Sequence, residues 1–127
     1  MRLGVIVLVA IAGVACAGAS ADARLKAYFD LPANTPTDTL VLRDAILRRV
    51  PRGTREAAVD SMLAQNGVGA DGLSSYQPAV SGDTALLRVE YDRRAWRIVA
   101  ESYVVHLAFD QSGGLEDVRV VRWLTGP

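Results

Sequence analysis

Tyr103-Val104-Val105-His106-Leu107-Ala108-Phe109-Asp110-Gln111-Ser112-Gly113-Gly114-Leu115-Glu116-Asp117-Val118 is the stretch that decides the fold. Tyr103, Val105, Leu107 and Phe109 alternate with Val104, His106 and Ala108, the two-residue period of a β-strand. Asp110 to Gly114 then interrupts the alternation with turn-forming residues, and its glycines tolerate positive φ because they lack a Cβ. Leu115 to Leu124 resumes it, with Val118 and Val120 on one side and Val121 and Trp123 on the other. That change of apolar side predicts a bulge near Val121. The stretch therefore reads as a hairpin of two long antiparallel strands.

Upstream, Leu87, Val89 and Tyr91 alternate with Arg88 and Glu90, which adds a third strand. Asp92-Arg93-Arg94 reads as a turn or bulge, with a long irregular connection as the alternative for the stretch that follows. Between Gly67 and Thr84 the chain is rich in Gly and Ser and reads as a loop, with at most a short extended piece at Tyr76-Gln77. Before the loop the period changes to that of helices. Thr37 or Asp38 caps a helix ending near Arg49, and Leu42, Ala45, Ile46 and Val50 form its buried stripe, widened by Leu40 and Leu47. Thr54 offers a cap to a second helix whose apolar face is Ala58, Val59, Met62 and Leu63, and Gly67 stops it. The expected fold class is α+β, a two-helix hairpin packed on one face of a three-stranded antiparallel meander, over residues 37–127. Residues 22–36, with Pro32-Ala33-Asn34-Thr35-Pro36, read as a tether carrying one helical turn around Tyr28 and Phe29.

Residues 1–21 have the order of a secretory signal peptide: Met1-Arg2, an apolar run from Leu3 to Ala15, then small residues through Ala21. The run spans roughly 20 Å as a helix, short of the ~30 Å hydrocarbon layer. Val14-Ala15-Cys16 resembles the lipobox of bacterial lipoproteins, in which the Cys is lipidated and becomes the first residue. Cys16 is the expected lipidation site, and Ala17 after it matches the outer-membrane sorting pattern. Cleavage after Ala19 or Ala21 is the competing route and discards Cys16.

Composition narrows the function. The 127 residues carry 14 basic and 14 acidic side chains, one His and one Cys. A nucleic-acid binder needs a basic surplus, so none is expected as a partner. One Cys gives no disulfide framework, and with one His no metal site is expected. No cofactor is implied.

Two motifs resemble the SmpA/OmlA family, the small lipoprotein of the outer-membrane protein assembly machinery, and its wider α-α-β-β-β superfamily. Arg52-Gly53-Thr54-Arg55-Glu56-Ala57-Ala58-Val59 is similar to the segment opening that family's second helix. Val105 to Val118 is similar to its penultimate hairpin, with a Phe-Asp-x-x-Gly-x-Leu-x-x-Val signature. The chain departs from the pattern at Gly67-Val68-Gly69, where the family has Gly-x-Pro. The resemblance implies the α+β fold and an interaction role at the outer membrane.

The candidate partner-binding residues are Arg88, Arg93, Arg94, Trp96 and Arg97, an Arg/Trp cluster, together with Trp123. Arg and Trp dominate interface hot spots, and a guanidinium stacks well on an indole. Lys26 is the sole lysine, so the arginines also reflect composition. With helices on one side, Val104, Ala108, Val121 and Trp123 fall on the leftover sheet face, a surface for a partner or for homo-oligomer formation. The expected function is that of an exported, lipid-anchored, non-enzymatic protein–protein interaction module of the cell envelope, facing the periplasm. The alternative is a soluble periplasmic inhibitor or modulator of an envelope hydrolase. A third reading, a small enzyme, would need Glu90, Glu101 and His106 gathered in one cleft.

Overall fold

The computed structural model describes residues 20–80, 83–92 and 100–125. Helices α1 (Ala21–Tyr28), α2 (Thr39–Arg49) and α3 (Glu56–Gln65) precede strands β1 (Ser74–Gln77), β2 (Thr84–Val89), β3 (Ala100–Phe109) and β4 (Leu115–Thr125). The strands form one antiparallel sheet in the order β1-β2-β3-β4. The α+β class and the helices-on-sheet arrangement agree with the sequence reading. The count differs: the described residues hold three helices and four strands where two and three were expected.

The additional strand is the extended piece at Tyr76-Gln77, lengthened to Ser74 by pairing with Leu86–Val89. Its residues are mostly polar, and the partner strand rather than their own propensity makes them a strand. The additional helix is α1. Ala21, Leu25, Tyr28 and Phe29 recur at helical spacing, and Leu25 and Phe29 are completely buried. Ser20 accepts from the Ala23 N–H at its start, and Asp22 pairs with Lys26 one turn on at 3.4 Å. The expectation of a tether over 22–36 is therefore corrected, because its first part packs on the sheet and closes the core. Tyr28 Oη donates to Ser74 Oγ at 2.8 Å, and the Asn66 amide donates to the Tyr28 carbonyl at 2.8 Å. Arg24, almost fully buried, donates to the Glu90 carbonyl.

Helix α2 follows its sequence reading closely. Asp38 is the N-cap and accepts from the Leu40 and Val41 N–H groups at 2.9 and 3.2 Å. Leu42, Ala45, Ile46 and Val50 are buried, while Leu40 is 70% exposed and does not widen the stripe. In α3, Val59 and Leu63 face the core. Thr54 is not its cap, because the Thr54 hydroxyl donates to the Pro51 carbonyl at 2.6 Å. The Glu56 N–H instead donates to Gly113 O at 3.0 Å, so the β3–β4 turn caps the helix.

The core is one cluster between the three helices and the inner sheet face, which contributes Leu87, Val89, Tyr103, Val105, Leu107 and Val118. The β3–β4 register runs without interruption from Ala100↔Thr125 to Ala108↔Asp117. The bulge expected near Val121 is absent. The single shift lies between Ala108 and Phe109, where Phe109 pairs with Leu115 and Glu116 is the additional residue. Val118 with Val120, and Val121 with Trp123, are simply the two faces of one strand. The first pair is buried against the core, and the second faces away from the described helices.

Candidate functional site

The sheet face opposite the helices is built by alternation. Because Val105 and Leu107 point into the core, Val104, His106 and Ala108 must point away from it. The register then sets Arg88, Val104 and Val121 side by side in one cross-strand row. Leu86, His106 and Arg119 form the adjacent row, and Trp123 lies opposite Ser102. No described helix lies on this face, and Trp123 is 60% exposed. The leftover-face assignment of Val104, Ala108, Val121 and Trp123 agrees with this register.

Two of the named partner-binding residues meet here. Arg88 and Trp123 line one shallow cleft with Glu90, Tyr91, Ser102 and Val104. Its volume is about 160 Å³, below the roughly 300 Å³ at which pockets begin to enclose a small-molecule ligand. The cleft fits a side chain of another macromolecule better than a metabolite. Arg93, Arg94, Trp96, Arg97 and Cys16 lie outside the described residues.

Sequence reasoning passed over Arg119, which the register brings beside His106. The signal was its parity in β4, two residues from Val121 and four from Trp123 on the same face. Arg88, His106 and Arg119 form a basic strip across the middle of the sheet. His106 feels it: partial burial first, then Arg119 and Arg88, push its pKa below the ordinary value of 6.5. Among the described residues, neither Arg88 nor Arg119 makes an ion pair, whereas Arg43, Arg49, Arg52 and Arg122 do.

The groups considered for catalysis do not converge. Glu101 lies on the opposite side of β3 from His106, where it accepts from Tyr103 Oη at 2.8 Å and from Arg122 at 2.9 Å. Burial and then the Glu101 bond raise the Tyr103 pKa well above the usual phenol range. Glu90 is exposed beyond the end of β2, four positions along from Leu86, the partner of His106. Among the described residues, no group of three His, Cys, Asp or Glu side chains is placed to hold a metal ion. No described helix is long and apolar enough to cross a membrane. No family model matches the chain, and neither does any curated protein or solved structure.

Proposed function

We propose that the chain is an exported, lipid-anchored interaction module of the bacterial cell envelope, facing the periplasm. It would act without catalysis by docking a protein partner in outer-membrane assembly or maintenance. The observation that carries this reading is the sheet face that no described helix covers, where Trp123, Val121 and Val104 lie beside Arg88 and Arg119, which make no ion pair among the described residues. An exposed indole among aliphatic side chains and arginines has the composition of an interface centre. The resemblance of Arg52–Val59 and Val105–Val118 to the SmpA/OmlA family supports the setting, as does Cys16 at the end of an apolar leader.

Packing of α1 changes how such an anchor would work. Only Ala17 to Ser20 separate Cys16 from the buried Ala21. At ~3.6 Å per residue that is a reach of no more than about 18 Å. The lipid would therefore hold the domain against the membrane surface, and the partner would have to reside there too.

Intact mass of the protein from a membrane fraction, with fractionation of Cys16→Ser, tests the anchor. A diacylglycerol mass increment and release of Cys16→Ser to the soluble fraction are expected. Cys16→Ser that remains membrane-bound would remove the anchor. A mass corresponding to cleavage after Ala19 or Ala21 would instead favour the soluble inhibitor. A photoreactive group replacing Trp123 is expected to crosslink one envelope protein, and absence of specific adducts would count against the surface.

A further inference from the structure

Among the described residues, the β4 edge is blocked over only half its length. Leu115 exchanges hydrogen bonds with the 53–54 loop, its N–H donating to Thr54 O and its carbonyl accepting from Gly53, both at 2.8 Å. Arg52 Nε then donates to Glu116 O at 3.0 Å, and Arg43 Nε to Val118 O at 2.9 Å. Backbone groups of an antiparallel strand alternate sides. With the Val118 carbonyl turned outward, those of Val120, Arg122 and Leu124 are outward as well. Among the described residues, no hydrogen bond reaches these outward backbone groups of the second half. Side chains on both faces there are exposed: Trp123 on the outer face, and Leu124, 58% exposed, on the other. Natural sheets usually shield such an edge with charge, bulges or covering segments.

We propose that Val120 to Thr125 is a strand-addition site for an extended, acidic–apolar segment of a partner protein. Main-chain hydrogen bonds to Val120, Arg122 and Leu124 would give the affinity, and alternate side chains the selectivity. Charge decides the partner. Val118 to Thr125 contains Arg119 and Arg122 and no acidic residue. Arg122 is neutralised by Glu101, but Arg119 continues the basic strip from His106 and Arg88. A second copy pairing through this edge would set arginines against an equally basic strand. In an added strand that alternates carboxylates with β-branched apolar residues, the carboxylates take the face of Arg119, and the apolar residues take the other face beside Val120 and Leu124. This inference rests on the interaction-module reading and specifies how the partner binds.

Amide hydrogen exchange on the isotope-labelled protein as isolated, with a blocked peptide alternating Glu and Val, tests it. At nine-tenths saturation the Val120, Arg122 and Leu124 amides should slow about tenfold. Those of Val121 and Trp123, already directed at β3, should not change. A peptide alternating Lys and Val should give no protection. Leu124→Pro removes one outward N–H at an edge position where proline is tolerated, and should abolish peptide binding that Leu124→Ala retains. Protection absent, equal with the Lys peptide, or lacking the two-residue alternation would overturn the proposal. So would protection that appears without peptide and rises with protein concentration, or peptide binding by folded Leu124→Pro equal to that of Leu124→Ala. Trp123 crosslinks in the face of silent edge amides would sink strand addition while leaving the docking reading intact.

Discussion

Phe29→Ala asks whether the segment before Pro32 belongs to the folded core or trails from it. Phe29 is completely buried, in one cluster with Leu25, Leu63 and the inner sheet residues. Truncating a buried phenylalanine removes its transfer free energy and leaves a cavity, together about 3–5 kcal/mol. Against a total stability of roughly 5–15 kcal/mol, that is a large fraction. For a domain near 100 residues each kcal/mol moves Tm by at least about 4 °C, so a fall of about 12 °C or more is expected. Urea unfolding followed by far-UV circular dichroism, with calorimetry for Tm, measures both. Asn34→Ala, at an exposed loop position, is the control and should stay within about 0.5 kcal/mol. A Phe29→Ala protein as stable as the control would show that α1 is not part of the cooperative unit. It would also restore a long tether, and with it a domain free to stand away from a membrane.

Three further outcomes follow from local geometry. Asp38→Ala removes the carboxylate that accepts two α2 N–H groups and should cost about 1 kcal/mol in urea unfolding, with no change in the slope against denaturant. Gly113 sits at φ 85°, and a Cβ there would meet Glu56 Oε1 at an ordinary 3.7 Å. Gly113→Ala should therefore destabilise by about 1–2 kcal/mol through backbone conformation alone, and a Gly113→Asn that costs as much would contradict that origin. Because His106 has a depressed pKa when folded, the unfolded chain binds the proton more readily. Its contribution is complete above 6.5 and is lost as pH falls through the interval between the unfolded and folded values. Urea midpoints measured between about pH 8 and pH 5 should fall further for the wild type than for His106→Gln. Equal declines would mean that neither burial nor Arg119 and Arg88 lower the ring's pKa.

The elements legible in advance were those whose pattern is carried by neighbouring residues. Leu42, Ala45, Ile46 and Val50 repeat at the helical period, and Tyr103 to Phe109 at the strand period, so each states its buried face without a partner. Asp38 at the α2 start and the Gly-rich β3–β4 turn were equally local. Helix α1 carried the same kind of signal in Ala21, Leu25 and Tyr28. The following Pro32 and Pro36 suggested a linker, and only contact with the sheet distinguishes an amphipathic turn in water from one in a core.

The candidate site divides the same way. Trp123 and Arg88 stood out by residue type, but what surrounds them depends on which residues the register brings abreast. Arg119 reaches His106 across the β3–β4 pairing, and Arg43 reaches the Val118 carbonyl from 75 residues away. The sequence by itself determined the α+β class, the inward faces of α2 and β3, and the turn that joins β3 to β4, because backbone periodicity is a property of a few consecutive residues. Only the tertiary structure decided that α1 is core, that β1 is a strand, and that no described residue covers half of the β4 edge. Each depends on distant groups meeting, and burial and hydrogen-bond satisfaction exist only once they have met.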